Sequence, residues 1–318
     1  MQSCPRALSI GSMEKIPHLG ETLTRWRVGG STFVALPEKG ARLMYWNLTT
    51  GDGSVRDVIV WPELKTLDAF AKVRGGNPIL FPFCARTFDK GELGYWRDAK
   101  GVRRPMPIHG FARQGEFRTL RIDSGGFEAV LVPGGEAKAC YPFDYEFRVE
   151  YRFAELGLTC KLTLENLGSE PLPWSAGHHF YFALPWSEGA GRGDYFIRIP
   201  AGRRLRQDAS GRLVAGPALS ALERMDNPAL IDTIHADLRD PEVVFGEKGF
   251  PGDVAVRLGS DESPPPGSAF VTWTQADDSP FYCVEPWMGP PNAPEHGMGL
   301  HLVAPGKRET FTVSVSVR

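Results

Sequence analysis

The stretch from residue 143 to residue 153 alternates strictly between apolar and charged side chains. The apolar positions are Phe143, Tyr145, Phe147, Val149, Tyr151 and Phe153, and the charged positions are Asp144, Glu146, Arg148, Glu150 and Arg152. Successive side chains of a β-strand point to opposite faces of the sheet, whereas a helix would mix the two sets on every face. The pattern therefore predicts a half-buried strand with one face in a core and the other in solvent.

A second alternating stretch follows and makes the first strand half of a hairpin. Leu158, Cys160, Leu162 and Leu164 alternate with polar residues, after the tetrad Ala154-Glu155-Leu156-Gly157. A short connection of this kind between two alternating stretches predicts a β-hairpin. Cys160 lies on the apolar face of its strand, which indicates a reduced thiol in the core.

Further strand patterns occur along the rest of the chain. Residues 310–317 alternate in the same way, and other β-rich runs are Thr32–Leu36, Phe127–Val132, Val271 with Trp273, and Phe281–Val284. Helix patterns are fewer and short, at Pro62–Ala71 and Ala218–Met225. We therefore predict an all-β fold, in which residues 1–318 form one large antiparallel β-sandwich domain with a few short helices.

The composition excludes several classes of partner. The chain has 318 residues, of which 42% are hydrophobic and 23% charged, and its net charge is −2. These values are typical of a globular protein and offer no basic surface for nucleic acid or for an anionic membrane. No segment is apolar over the length that crosses a bilayer, the first residues lack a signal-peptide pattern, and the five cysteines include no CxxC pair. We therefore expect a cytoplasmic protein with no nucleic-acid or membrane partner.

Two of the seven histidines lie in unusual local contexts. His109 is followed by a glycine in Ile108-His109-Gly110-Phe111-Ala112-Arg113, and glycine allows the backbone to approach a ligand closely. His178 and His179 are adjacent in a segment rich in aromatic residues. In an extended segment these two side chains point to opposite faces, so only one of them enters a given pocket.

Three other polar side chains are candidate site residues, and each has a purely structural alternative. Glu285 stands between valine, proline and tryptophan, where burial would raise its pKa and improve it as a proton acceptor near neutral pH; the alternative is an exposed or salt-bridged residue. Arg86 follows several aromatic residues and suits bidentate hydrogen bonds to vicinal hydroxyls, or a surface ion pair. Asp232 follows an apolar run and could bind a hydroxyl or cap a turn.

Several chemistries have no support in the sequence. The chain contains no GxGxxG motif, no P-loop and no GxSxG elbow, which argues against nucleotide binding and a serine hydrolase triad. His296 and His301, taken with Glu295, match no familiar zinc spacing. The sequence thus predicts no metal site.

Taken together, these segments resemble the aldose 1-epimerase family (galactose mutarotase-like proteins). The matching pieces, in chain order, are Arg74-Gly75-Gly76-Asn77-Pro78 continuing through Phe81-Pro82-Phe83 to Arg86, then His109–Arg113, Asn166 with Gly177–Phe182, Asp232, and Val284-Glu285-Pro286-Trp287. They extend over about residues 74 to 290, and the strand pattern continues the likeness to both ends. Phe180 replaces the proline that usually follows the family's histidine, and the spacing to Tyr181-Phe182 selects His179 over His178.

The resemblance implies a reaction and a role for each candidate residue. Members interconvert the α and β anomers of an aldose by opening and reclosing the hemiacetal ring, without a metal or cofactor. It implies Glu285 as base and His179 as acid, with roles that reverse on closure, and His109 as a hydrogen-bond partner of a ring or C1 oxygen. The residues implied for substrate binding are Arg86 and Asp232 at sugar hydroxyls, Arg74, and Trp287 or Phe180 against an apolar sugar face.

Alternatives remain within and outside enzymology. Arg74 resembles the arginine that some phosphosugar members use for phosphate, so a hexose-6-phosphate 1-epimerase is one alternative, although the stretch ending at Arg86 is more similar to members acting on free sugars. Other basic clusters, Arg103-Arg104 and Arg203-Arg204-Arg206, are of a kind usually found on solvated surface. A non-catalytic carbohydrate-binding protein on the same fold is the other alternative. The expected partner in each case is a monosaccharide, and the protein is expected to be a monomer or a homodimer.

Overall fold

The computed structural model of the protein describes residues 11–51 and 53–318. Residues 1–10, which include Cys4, lie outside the described residues. The expectation that the first residues lack a signal-peptide pattern concerns this segment. Within the described ranges the chain forms strands β1 to β28, two short α-helices and four 3₁₀ turns. No helix of this described part is both long and apolar enough to cross a membrane.

The first half of the strands are, in order from β1 to β14, Ser12–His18, Glu21–Val28, Ser31–Leu36, Arg42–Thr49, Val55–Ile59, Ile79–Leu80, Phe88–Asp89, Glu92–Leu93, Tyr95–Arg97, Arg103–Pro105, Glu116–Asp123, Gly126–Val132, Tyr145–Ala154 and Gly157–Asn166. The second half, from β15 to β28, are Leu172–Trp174, Gly177–His178, Phe180–Ala183, Tyr195–Arg198, Ala201–Gln207, Leu213–Ala215, Leu222–Arg224, Thr233–Leu238, Glu242–Glu247, Val254–Leu258, Ala269–Trp273, Phe281–Trp287, His301–Val303 and Arg308–Val317. The helices are α1, Gly135–Cys140, and α2, Ala293–His296, and the 3₁₀ turns are Phe70–Lys72, Ala112–Gln114, Arg192–Asp194 and Pro228–Leu230.

Two large antiparallel sheets account for most of these strands. The larger one has 13 strands and follows the order β1-β2-β3-β4-β5-β17-β26-β25-β22-β19-β20, with β16 and β6 joined at its centre. The second has nine strands in the order β11-β12-β13-β14-β28-β24-β23-β18-β21. Three two-stranded ribbons complete the described strands. The all-β, antiparallel prediction is therefore confirmed.

The alternating stretches form the hairpin that the sequence predicted. Strand β13 pairs with β14 in register from Tyr145 opposite Asn166 to Ala154 opposite Gly157. The odd-numbered side chains of β13 are buried, and the charged ones between them are more exposed. Cys160 is free and fully buried, as expected. The carboxy-terminal strand β28 pairs with β14 and shows the same alternation.

The core lies between the two sheets and is rich in aromatic rings. Phe33 of the larger sheet stacks on Phe153 of the smaller one with ring centroids 4.4 Å apart. Phe182 of the larger sheet meets Phe245 of the smaller one at 4.9 Å. Contacts of this kind between inner faces define a β-sandwich. One face of the 13-stranded sheet therefore packs in the core, and a binding site can form only on its other, outer face.

Both predicted helices are wrong. In Pro62–Ala71 the chain follows an irregular path that ends in a single 3₁₀ turn, Phe70–Lys72. This path lets Trp61 and Phe70 both lie over the buried guanidinium of Arg42, with 5.3 Å from its central carbon to each ring centroid. The tertiary contacts therefore override the local helical spacing.

The segment Ala218–Met225 contains the short strand β21, Leu222–Arg224, and no helix, contrary to the second prediction. It pairs with β18, so that Leu222 lies opposite Arg198 and Arg224 opposite Phe196. An edge of the nine-stranded sheet thus supplies hydrogen-bond partners that a short isolated helix of this composition could not match.

Candidate active site

Strand pairing in the 13-stranded sheet determines which side chains share its outer face. Strands β17 and β26 pair with Tyr181 opposite Cys283, and β25 pairs with β26 so that Val271 lies opposite Glu285. Side chains alternate along each strand. The same face therefore carries His179, Tyr181, Val271, Trp273, Cys283 and Glu285.

The two adjacent histidines point to opposite sides of the sheet, as predicted. His178 is fully buried on the core side, where its ring stacks on Phe180 with 5.4 Å between centroids. His179 lies on the outer face and stacks on Tyr181 with centroids 4.6 Å apart. Of the two histidines, only His179 therefore shares the outer face with Glu285.

Asn77 connects the Gly-Gly motif to the two histidines. Its Oδ1 accepts a hydrogen bond from the backbone N–H of His179 at 3.1 Å. Its Nδ2 lies 3.0 Å from Nδ1 of His178 and donates to the hydroxyl of Tyr151 at 2.7 Å. A fully buried amide with these partners fixes the backbone on which His179 is carried.

Glu285 and His179 form a close pair on this face. The Nε2 atom of His179 lies 3.5 Å from Oε2 of Glu285. His179 is 8% exposed and Glu285 is 2% exposed, and neither Glu285 Oε2 nor His179 Nδ1 has a hydrogen-bond partner among the described residues. Buried polar atoms are nearly always paired, so these two are candidates for contact with a ligand.

Burial changes the proton affinity of both groups. It raises the pKa of the Glu285 carboxyl well above its usual range, the negative charge of Asp232 raises it further, and the indole of Trp287 acts in the opposite direction. Burial also lowers the pKa of His179 well below its usual range, with His109 and two arginines acting in the same direction. Burial therefore favours the uncharged form of each group, a protonated carboxyl beside a neutral imidazole.

His109 approaches this pair from the loop after β10, and its ring centroid is 5.4 Å from that of His179. Its backbone has a φ of 66°, in the left-handed region that few residues other than glycine adopt. Two hydrogen bonds to Ala85 hold it there, because His109 N–H donates to the Ala85 carbonyl at 2.8 Å and Ala85 N–H donates to His109 Nδ1 at 3.1 Å. Strained conformations of this kind concentrate at functional sites.

The accepting role of Nδ1 determines the tautomer of His109. Because Nδ1 receives the Ala85 N–H, the neutral ring carries its proton on Nε2 and can donate it to a ligand oxygen. Burial and the charges of Arg113 and Arg86 lower the pKa of His109 to about 3. The ring is therefore neutral at physiological pH.

Arg86 and Asp232 both lie at the edge of this group. Arg86 is exposed and close enough to lower the pKa of His109, and Asp232 is exposed and close enough to raise that of Glu285. Asp232 directly precedes β22 and has a φ of 55°, so it also departs from ordinary backbone geometry. No hydrogen bond or ion pair of either charged side chain occurs within the described ranges, which leaves both available to a ligand.

Arg74 and Trp287 complete the predicted set. The guanidinium carbon of Arg74 lies 5.7 Å from the ring centroid of Trp273, whose ring is 5.9 Å from that of His179. Trp287 is buried; its indole N–H donates to the carbonyl of His178 at 3.2 Å and its ring is 6.2 Å from that of His109. All seven predicted site residues therefore lie around one face.

Phe180, the other aromatic residue considered for a sugar face, is on the core side. It is fully buried between the sheets and stacks on His178 and Phe182, so it faces away from the candidate site. The aromatic residues that flank His179 are Tyr181 and Trp273. The alternation of the aromatic tetrad could have identified Tyr181, whereas Trp273 comes from a distant strand and required the pairing of β25 with β26.

Two further arginines near the pair were not singled out. Arg42 is completely buried, donates to the carbonyls of Val73 and Gly75, and has two guanidinium nitrogens without a partner in the described chain. Arg42 and Arg113 both lower the pKa of His179. With Arg74 and Arg86, they give the site more fixed positive charge than the single exposed carboxylate of Asp232 balances.

Metal-binding potential at this site comes from side chains other than those weighed in the sequence. His296 and His301 are engaged elsewhere, because His296 Nε2 lies 2.9 Å from the carbonyl of Pro291 and His301 Nδ1 lies 2.5 Å from Oε1 of Glu309. In the described chain, the side chains of His179, Cys283 and Glu285 bring ligand atoms within 4.8 Å of one another.

Comparison with known proteins gives a consistent assignment. The sequence profile described as Aldose 1-epimerase matches residues 23–229. The chain is 22% identical over 240 residues to the chromosomal protein LacX of Lactococcus lactis subsp. lactis. The aligned region covers 70% of this chain and 77% of LacX.

Two solved structures show the same fold over nearly the whole chain. A galactose mutarotase-like protein from Clostridium acetobutylicum superposes with a TM-score of 0.78 at 18% identity, covering 96% of this chain and 98% of its own. Galactose 1-epimerase from Lactobacillus acidophilus NCFM gives a TM-score of 0.66 at 17% identity, and the superposition covers 97% of this chain and 98% of that protein. The family profile ends before Asp232 and Glu285, whose assignment depends on geometry. Because that profile matches the larger part of the sequence, this protein belongs to the aldose 1-epimerase family.

Proposed function

We propose that the protein is an aldose 1-epimerase that interconverts the α and β anomers of a hexose by acid/base ring opening and reclosure. The supporting observation is the pair of Glu285 and His179, buried together on the outer sheet face with 3.5 Å between Oε2 and Nε2. Ring opening requires removal of the C1 hydroxyl proton and delivery of a proton to the ring oxygen. Two groups with oppositely shifted pKa values are suited to that exchange.

The pair needs only one proton to work in either direction. A protonated Glu285 with a neutral His179 contains as many protons as an ionised Glu285 with an imidazolium, so the two states differ only in where that proton lies. Burial favours the neutral state in the unliganded site. A sugar that donates its C1 hydroxyl to Glu285 and accepts at its ring oxygen from His179 would favour the ionised state, in which Glu285 is the base and His179 the acid.

The neighbouring side chains supply the remaining requirements. His109 offers its Nε2–H to a ring or C1 oxygen and stabilises the charge that develops there. Arg86 and Asp232 have unengaged charged groups for sugar hydroxyls, and Trp287 offers an apolar ring. We further propose that residues 1–318 are one domain that acts in the cytoplasm as a monomer or homodimer, without a cofactor.

Substitution of each member of the pair tests the assignment. We expect Glu285→Gln and His179→Asn each to lower the anomerisation rate of the best hexose by roughly 10²- to 10⁴-fold, the usual contribution of a proton-transfer group. The measurement is magnetisation exchange between the two anomeric proton signals by NMR.

His235→Asn is the matched control. His235 is another buried histidine with its pKa lowered to about 3, but its Nε2 lies beside the Thr272 hydroxyl at 3.0 Å, outside the site. We expect this variant to keep its anomerisation activity. Near-normal activity in either site variant would refute the assigned role, and sugar binding without accelerated anomerisation in the wild type would indicate a carbohydrate-binding protein instead.

A phosphorylated hexose is a second candidate substrate, supported by Arg74. This exposed guanidinium lies over Trp273 and forms no ion pair within the described residues. Arg103 and Arg203, from the other basic clusters, are paired with Glu92 and Asp237.

A sugar panel distinguishes the two substrates. Glucose, galactose and glucose 6-phosphate are compared in the wild type and in Arg74→Gln. If the substrate is phosphorylated, Arg74→Gln raises KM for glucose 6-phosphate at least tenfold and leaves the free sugars unaffected. Equal effects on all three sugars would exclude phosphate recognition by Arg74.

A further inference from the structure

Three side chains of different chemistry converge on the outer sheet face. His179, Cys283 and Glu285 place one ligand atom each within 4.8 Å of the other two. Cys283 and Glu285 are two residues apart on β26 and so project to the same side, and Cys283 pairs across to Tyr181. All three are buried, with 0% exposure for Cys283. The thiol has no role in the anomerisation chemistry.

The spacing matches that of ligands around a small tetrahedral ion. Nitrogen and oxygen ligands about 2.0–2.1 Å from Zn²⁺ at a tetrahedral angle stand about 3.4 Å apart. Nε2 of His179 and Oε2 of Glu285 are 3.5 Å apart. A thiolate about 2.3 Å from the same ion would lie about 3.6 Å from each of them, and the Cys283 sulfur lies within 4.8 Å of a ligand atom of each residue.

An independent observation points to a ligand at the same position. Oε2 of Glu285, the oxygen that faces Nε2 of His179, has no hydrogen-bond partner in the described parts of the chain, although Glu285 is only 2% exposed. A carboxylate and a thiolate together would neutralise the two charges of the ion.

We propose that His179, Cys283 and Glu285 form a binding site for a thiophilic divalent cation, with Zn²⁺ as the best fit, and that the bound ion blocks the acid/base pair. One nitrogen, one sulfur and one oxygen donor favour zinc over magnesium or calcium, which prefer all-oxygen sites. Binding displaces the thiol proton and the proton held by the pair, with no change of oxidation state. Three protein ligands leave the fourth tetrahedral position open to water or a sugar oxygen.

Cobalt titration tests the site without relying on turnover. The full-length protein is treated with a chelator and titrated with Co²⁺, whose thiolate complexes absorb in the near ultraviolet and whose tetrahedral complexes absorb in the visible. We expect a thiolate band that saturates at one ion per chain and is displaced by Zn²⁺. The band should disappear in Cys283→Ser and persist in Cys84→Ser, another buried thiol that lies outside the ligand cluster.

Two further measurements keep the result interpretable. Glu285→Gln preserves side-chain shape and should weaken Co²⁺ binding at least tenfold, which provides a test if Cys283→Ser does not fold. Zn²⁺ should inhibit any anomerisation by the wild type, and a chelator should restore it. Absence of the thiolate band in the wild type, or its persistence in Cys283→Ser, would overturn the metal site. Failure of the metal-free protein to anomerise any sugar would overturn the proposed function instead and leave the cobalt spectrum unaffected.

Discussion

Gly110 gives the most demanding test of how the candidate site is positioned. It directly follows His109 and has a φ of 69°. A Cβ atom added there would lie 1.9 Å from the carbonyl oxygen of Phe81. Ordinary van der Waals contact begins at 3.4 Å, so the two segments would have to separate by 3.4 − 1.9 = 1.5 Å. Gly110→Ala should therefore displace the His109 loop.

The expected loss of stability has two parts. An L-residue in the left-handed region costs about 1–2 kcal/mol. Separation of the segments also weakens the hydrogen bond from Phe111 N–H to the Phe81 carbonyl, now 3.0 Å, and strains the backbone, which adds about 2 kcal/mol. We expect the free energy of unfolding to fall by about 3–4 kcal/mol. Because a displacement of about 1 Å can reduce a rate about 10²-fold, kcat/KM should fall by at least that factor.

Gly189→Ala is the matched control. Gly189 has a similar φ of 80°, but an added Cβ would meet no atom within 4 Å. This variant should lose only about 1–2 kcal/mol and keep its activity. Urea unfolding of both variants, followed by tryptophan fluorescence, and anomerisation assays provide the comparison. Equal unfolding midpoints, or full activity in Gly110→Ala, would show that the close approach to Phe81 does not position His109.

Two pH predictions follow from buried groups. His235 has a pKa of about 3 when folded and 6.5 as a reference, so its contribution to stability is present above pH 6.5 and is lost as pH falls toward 3. Between pH 7 and pH 5 this titration lowers the free energy of unfolding by roughly 2 kcal/mol. Denaturant titrations at both pH values measure the effect. The loss of stability between them should be smaller in His235→Gln than in the wild type by that amount. Asp232→Asn removes a charge that raises the pKa of Glu285. In the pH profile of kcat/KM, the limb that reports Glu285 should therefore move to lower pH. An unchanged profile would place Asp232 too far from the carboxyl to act on it.

The strands with strict alternation were predictable because local pattern and tertiary environment agree. In β13 and β28 the alternating apolar residues, Tyr145 to Phe153 and Phe311 to Val317, are all buried, so period-two patterning alone identifies the inner face. The segment Pro62–Ala71 failed for the opposite reason. Leu67 and Phe70 of this segment are buried and Leu64 is partly buried, but their spacing serves the packing around Arg42, which no local pattern reveals.

The candidate site was predictable as a set of segments and unpredictable as a set of contacts. The motif around His109 stands out in the sequence, alternation predicts that only one of the two adjacent histidines enters the site, and the resemblance to the family indicates His179. Trp273 and Cys283 could not, because their position beside His179 depends on the order in which β17, β26 and β25 lie in the sheet. Strand order follows from long-range pairing, and a single sequence does not encode that pairing in any local feature.

The unsatisfied polar atoms on the outer face argue that this surface is maintained for chemistry. Hydrophobic residues of similar size would avoid the desolvation of Glu285 and of Arg42, which is completely buried and has no acidic partner among the residues that the structure describes. Yet the same burial raises the pKa of Glu285 and lowers that of His179, which favours the shared proton on Glu285 until a ligand changes the surroundings of the pair. A site with these proton affinities should be sensitive to added charge, including that of a divalent cation bound beside Cys283. Proton exchange and metal inhibition would then have a single physical origin, the low polarity around an unpartnered carboxyl.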